Sequence, residues 1–362
     1  MTNTLNVIQS NIQLKNQHIT KKVQVQLSKL YTTFNNVTLA SHTVSFSQND
    51  NMNYGENFDF IPKPFTQYIR TKMHFITTIS TIVKNKHVNI NIYQENAYFK
   101  NKRHINNILK FINFMSLFSN PICSQYLDIH IYFTPFKKTL PTMDVPLSKH
   151  NINTGFTYAC AKKNEIHIYR KEEWFKVLIH ESIHAFGLDF SNIPNDSLSK
   201  FFHLDFDIKF SEAYCETMSI ILQTLFLPHT GDFITHFKQH IYNETIFTLQ
   251  QAAKILSFNN INVSHLIASK THNKYTEETP VFSYFILKSI NLYFIGDFLT
   301  LCMRVNNNII HHDFNINEVI MFSNFIKDKS NNKKWFKDIT LTQDIINKDK
   351  RVNKSLKFSL YG

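Results

Sequence analysis

The run Val177-Leu178-Ile179-His180-Glu181-Ser182-Ile183-His184-Ala185-Phe186 sets a His-Glu-x-x-His pattern in an uncharged flank. On an α-helix, residues four apart share a face, so the imidazoles of His180 and His184 can both reach one metal ion. Glu181, beside His180, is placed to take a proton from water at that ion. The bare motif also has a plainer source in a chain with 18 His. An Ile-rich helix carrying two exposed His would produce it.

At 362 residues the chain suffices for one large domain or two modest ones. Hydrophobic content of 43% and aromatic content of 14% are those of a folded soluble protein. Only 6 Gly against 34 Phe, with many Asn, Ile and Lys, is the bias of A/T-rich codons. A large DNA virus or an AT-rich microbe would fit it. Half of the +12 net charge lies between Lys327 and Lys357, where ten Lys/Arg face four Asp/Glu. Such an end could touch nucleic acid or an anionic membrane. A solvated tail is the simpler expectation, because no aromatic-basic repeat or zinc-finger spacing accompanies it.

Cys123, Cys160, Cys215 and Cys302 are far apart and form no Cys-x-x-Cys pair, so reduced thiols are expected. The first residues show neither a basic n-region nor an apolar h-region. The most apolar long stretch, Phe282 to Met303, is interrupted by Lys288, Asn291 and Asp297. It reads as a buried helix and not a membrane span, which favours an intracellular, cytoplasmic protein.

Residues 1–60 are polar and weakly periodic and read as an N-terminal extension. Pro62 and Pro64 precede a predicted helix from Phe65 to Val83. Val88 to Tyr93 alternates as a half-buried strand, and Ile105, Ile108, Leu109, Ile112 and Met115 recur at helical spacing. Tyr126 to Thr134, Asn153 to Tyr158 and Glu165 to Tyr169 read as strands. Lys171-Glu172-Glu173-Trp174 opens the motif helix with acids in its first turn, and Gly187 can end it in a left-handed cap. Predicted helices follow over Ser211–Leu227, Asp232–Ile241, Thr245–Leu256 and Pro280–Met303, the last with Thr279 as N-cap.

Residues 177–186 resemble the active-site segment of the zincin metallopeptidases, with Val three before the first His and uncharged residues around the ligands. The strand, helix, strands, motif-helix order is similar to the zincin N-terminal subdomain, whose edge strand holds a substrate backbone by β-addition. Two His leave a tetrahedral zinc one protein ligand short. In the metzincin branch that ligand lies six residues past the second His, where this chain has Phe190, with Asp189 one residue off. The gluzincin branch takes a Glu from a later helix, followed four residues on by an acid. Ser211-Glu212-Ala213-Tyr214-Cys215-Glu216 supplies that pattern 28 residues past His184. The resemblance therefore implies Glu212 as third ligand and Glu216 as partner of a ligand imidazole, although Asp is commoner at that second position. The opposing reading of Glu212 and Glu216 is a solvated helix face. The apolar neighbours Met218, Ile220, Ile221 and Leu222 argue against it, since an unpaired buried carboxylate is costly. Gluzincins often add a Tyr or His that stabilises the oxyanion. His272, Tyr275 and Tyr284 lie where one could come from, and none stands out.

The resemblance implies an α+β, zincin-like fold: a small mixed sheet with the motif helix, then a mostly helical C-terminal part. The expected divisions are 1–60, 61–228, 229–326 and a basic tail 327–362. The expected activity is zinc-dependent peptide-bond hydrolysis, with Zn2+ on His180, His184 and Glu212, and Glu181 as general base. A peptide or protein would be the substrate. The rival classes are an inactive zincin-fold structural or interaction protein, and a nucleic-acid or membrane factor acting through the tail. A base beside the ligands has no use in a purely structural site.

Overall fold

The computed structural model describes residues 3–14, 17–48, 53–142, 145–263, 266, 275–306, 308–349 and 353–362. Helices α1 (Asn3–Asn11) and α2 (Lys21–Asn36) precede strand β1 (His42–Gln48). Next come α3 (Lys63–Lys72), β2 (Phe75–Val83), β3 (Lys86–Gln94), α4 (Lys102–Ser116) and β4 (Tyr126–Tyr132). A one-turn helix α5 (Lys149–Ile152), β5 (Gly155–Thr157) and β6 (Lys163–Ile168) lead into the motif helix α6 (Trp174–Ala185). Beyond it lie α7 (Ser197–Phe201), α8 (Phe210–Gln223), α9 (Phe233–Phe258) and a π-helical segment Phe282–Leu287. Helices α10 (Lys288–Tyr293), α11 (Ile295–Asn306), α12 (Ile316–Ser330) and α13 (Lys333–Lys348) follow. The class is α+β.

The six strands form one mixed sheet in the order β1-β2-β3-β4-β6-β5. β3, β4 and β6 run parallel to one another, while β1, β2 and β5 join antiparallel. Alternation sorts the two faces. Val88, Ile90 and Ile92 of β3, Leu127, Ile129 and Ile131 of β4, and Ile166 and Ile168 of β6 join the buried cluster that includes α4 and α6. Tyr93, His130, Tyr132, Glu165, His167 and Tyr169 point the opposite way. Phe58, Ile61, Phe65 and Ile69 cover that second face.

Several expectations need correction. The predicted helix over Phe65–Val83 is helical only to Lys72 and then becomes β2. Ile76, Thr77, Thr78, Ile79, Thr81, Ile82 and Val83 are β-branched, and a helix would freeze their χ1 angles while a pleated strand packs them. Asp232–Ile241 and Thr245–Leu256 are a single helix, α9, whose first turn is capped by Asp232 accepting from Thr235 N at 2.9 Å. The stretch Pro280–Met303 is not one helix. It bends by 92° between Tyr293 and Ile295. Among the described residues no single helix is long and apolar enough to cross a membrane.

The chain ends are also more deeply used than expected. Leu5, Ile8, Val23, Leu27 and Phe34 of the N-terminal segment are core residues, and β1 is one of the two edge strands. The basic C-terminal segment is not a solvated tail: Leu356, Phe358 and Ser359 are buried. The Phe358 ring lies under the ammonium groups of Lys138, Lys176 and Lys288, at 3.6, 4.9 and 5.3 Å from its centroid. Glu173 accepts the Phe358 and Ser359 amides at 3.0 and 2.7 Å. It is the N-cap of α6, so the expected acids lie just before the motif helix, tying the C-terminal segment to its start.

Cys123 and Cys160 are disulfide-bonded, against the expectation of four reduced thiols. Chain separation hid the pairing: parallel β4 and β6 bring the two loops side by side, with Cα atoms 4.5 Å apart. Cys215 and Cys302 are free and buried.

Candidate metal centre

Helix α6 lays Val177, Leu178, Ile179 and Ile183 into the core, and its opposite stripe faces α8. The i, i+4 spacing puts His180 and His184 on that stripe, and α8 brings Glu212 to them. His180 Nε2 lies 3.1 Å from Glu212 Oε2, His184 Nε2 lies 3.4 Å from the same oxygen, and the two Nε2 atoms are 3.2 Å apart. A tetrahedral centre with bonds of about 2.0–2.1 Å sets its ligand atoms about 3.3 Å apart. The triangle has that size, so His180, His184 and Glu212 could hold a metal ion.

Each imidazole is held from behind. His180 Nδ1 lies 2.9 Å from Glu216 Oε1, close enough for attraction though off the line of a straight hydrogen bond. His184 Nδ1 lies 2.8 Å from Asp189 Oδ2 and 3.1 Å from Ser191 Oγ. With protons on both Nδ1 atoms, both Nε2 lone pairs turn toward Glu212, the arrangement that metal-ligating histidines use.

Glu216 does not depend on a metal for charge balance. Lys176 and Lys288 both pair with it, Lys288 at 3.1 Å, and all three side chains are buried. Against the upward push of burial, the two lysines and His180 hold its carboxyl well below the usual range. Glu212 is likewise held low against burial, by His184 and His180. Its side chain, 21% exposed, is the most open of the triad.

Among the described residues Glu181 has no such partner. Burial pushes its carboxyl up to about 7, with His180 and His184 pulling the other way. A group balanced there can accept and return a proton near neutrality. Strand β5, at the sheet edge, approaches it closely. A Cβ on Gly155 would lie 3.2 Å from Glu181 Oε1 and 2.8 Å from the His167 carbonyl oxygen, so only glycine fits between strand and helix.

Asp189 escaped the motif reading, which tested it only as a direct ligand. The chain turns back at Gly187 (φ +67°), where the Leu188 amide donates to the Ile183 carbonyl at 2.9 Å. That reversal, expected as a helix cap, returns Asp189 to His184. Lys176 and Lys288 carry no local signal of their role. Tyr284, from the π-helical segment, packs its ring 6.2 Å from that of His180. Burial, then the carboxylates of Glu212, Glu181 and Glu216, push its hydroxyl well up, so it stays protonated. Tyr275 instead hydrogen-bonds Glu277 at 2.8 Å. His272 lies outside the described residues.

No family model matches this chain, and no solved structure matches it. A comparison with curated proteins finds similarity to an uncharacterized protein of Acanthamoeba polyphaga mimivirus. The two are 22% identical over 291 residues, covering 73% of this chain and 71% of that one.

Proposed function

We propose that the chain is a zinc-dependent peptide hydrolase of gluzincin type, with a zincin-like arrangement of sheet and motif helix. One observation carries the reading: three ligand atoms in a triangle of tetrahedral size, with the unpaired carboxyl Glu181 beside them. His180, His184 and Glu212 would hold the ion, with Glu216 and Asp189 fixing the two imidazoles. Bound there, zinc would supply Lewis-acid polarisation of a carbonyl and of water.

The remaining work falls to the chain. Glu181 takes the proton of the attacking water and delivers it to the leaving amine. Tyr284 donates to the developing oxyanion. The edge strand β5 aligns an extended peptide backbone past Glu181 by β-addition. An inactive, metal-stapled protein is the second reading, favoured by the near-complete burial of His180, Glu181 and His184.

Glu181→Gln separates the two. It keeps size and shape and removes the base, so metal should stay while hydrolysis falls by roughly two to four orders of magnitude. A mixed peptide library read by mass spectrometry supplies substrates without assuming specificity. Cleavage that persists undiminished in Glu181→Gln would overturn the mechanism.

A further inference from the structure

The face of the sheet turned away from α6 carries a second cluster of donor atoms. The β4–β6 register pairs His130 with His167 and Asp128 with Glu165, so His130, Glu165 and His167 stand together on that face. All three are buried, and their nearest donor atoms lie within 4.8 Å of one another. The two imidazoles stack at 4.9 Å.

Proton bookkeeping shows what the cluster lacks. Tyr93 Oη donates its proton to the Asn53 carbonyl at 2.5 Å, so toward His130 Nδ1, 3.0 Å away, it can only accept. His130 therefore carries its proton on Nδ1, and Nε2 is a bare lone pair. That Nε2 is buried and has no hydrogen-bond partner. The arrangement repeats one strand over. Tyr132 Oη donates to the Tyr54 carbonyl at 2.6 Å and faces His167 Nδ1 at 3.4 Å.

With its proton on Nδ1, His167 would set the Nε2 lone pair 2.9 Å from Glu165 Oε2. Two acceptors would then face each other. Moving the proton to Nε2 satisfies Glu165 but leaves Nδ1 bare beside an oxygen whose proton is already used, and an imidazolium donating from both nitrogens satisfies Glu165 and Tyr132 together. None of these states supplies a donor to His130 Nε2, which is where the deficit lies. A buried acceptor without a donor is costly, and a cation among these atoms removes the deficit at once.

The carboxylate is fixed in place. Glu165 accepts from Glu56 N at 2.8 Å and from Asn57 N and Nδ2 at 2.9 Å each, which leaves lone-pair capacity for a metal. Gly55, at φ +90°, crosses directly over the cluster. A Cβ there would lie 2.9 Å from His130 Nε2, 2.9 Å from His167 Cε1 and 3.2 Å from Glu165 Oε1. Glycine keeps the space beside the donor atoms clear.

We propose that His130, Glu165 and His167 form a second metal site, taking one divalent transition-metal ion of the zinc class. Two imidazoles and one carboxylate suit such an ion better than magnesium or calcium, which prefer all-oxygen sets. Tyr93 and Tyr132 orient the two imidazoles, as outer partners do at metal sites. The ion clips segment 53–58 onto the sheet. This inference does not depend on the hydrolase reading, because the two donor sets share no residue.

Metal content of the full chain tests it, measured by mass spectrometry after zinc loading and gel filtration. Wild type should hold about two ions, by the donor sets present. His184→Ala/Glu212→Ala, which leaves this cluster untouched, should keep one, and adding His130→Ala should remove it. A chain that keeps no metal in His184→Ala/Glu212→Ala overturns the proposal, even if the His130 variant fails to fold. A single wild-type ion that survives the double substitution and is lost with His130→Ala would sustain this site and sink the hydrolase reading. Limited proteolysis gives an independent readout in the same double variant. Chelator should speed cleavage within 53–58 at least tenfold, and an unchanged rate overturns the clipping role.

Discussion

Asp189 Oδ2 lies 2.8 Å from His184 Nδ1, on the side of the ring opposite Glu212. The acid that stands one residue short of a metzincin ligand position is therefore a partner of the candidate ligand's imidazole. It sets the tautomer and raises the basicity of Nε2. Glu216 stands in a looser relation to His180, 2.9 Å from its Nδ1 but off the line of a straight hydrogen bond.

Asp189→Asn should weaken metal affinity at the α6 centre roughly ten- to a hundredfold while leaving the fold intact. Competition against a chromophoric chelator measures it. Unchanged affinity would reduce Asp189 to a loop-packing residue.

The metal-free protein should lose stability as pH rises. Burial lowers the imidazole values, but Glu212 and Glu216 raise His180 overall, and Cys215, Glu212 and Asp189 raise His184 well above its ordinary value. A folded-state value above the unfolded one, about 6.5, gives stability that is full below that pH and is lost as pH climbs through the raised values. The melting temperature of chelator-stripped protein should thus fall from about pH 6.5 upward. The metal-loaded protein should not follow, because the ion replaces the protons. A rise over that interval in the stripped protein would contradict the assignment.

Lys288→Ala should destabilise the fold by about 3–5 kcal/mol, since it strips one of two cations from the buried Glu216 carboxylate. Urea unfolding of the metal-free protein isolates this from metal binding. A loss below 1 kcal/mol would mean that Lys176 alone balances Glu216.

Phe358→Ala should cost about 3–5 kcal/mol, the usual loss for a buried phenylalanine. It should also release the C-terminal segment from Glu173, making residues beyond 353 sensitive to protease. Wild-type resistance in the variant would show that backbone hydrogen bonds to Glu173 suffice.

The α6 pattern was legible because a helix writes its contacts locally: His180, Glu181 and His184 fall within five residues, and Gly187 marks the stop. Glu212 was legible through the gluzincin-like spacing of a later Glu followed four residues on by an acid, and its apolar neighbours argued against a solvated face. The strands β3, β4 and β6 showed their alternation. The helix expected over Phe65–Val83 failed where a β-branched run outweighed apparent continuity. Nothing local tells α8 to meet α6, or tells Lys176 and Lys288 to neutralise Glu216, because those residues are 40 and 72 positions from it. The Cys123–Cys160 bond and the His130–Glu165–His167 cluster depend on the parallel register of β4 and β6, which no periodicity within either strand encodes. The sequence by itself determined that His180, Glu181 and His184 share one helical stripe. Only the tertiary structure decided which side chains meet them, because long-range pairing is set by the packing of the whole core and not by any one segment.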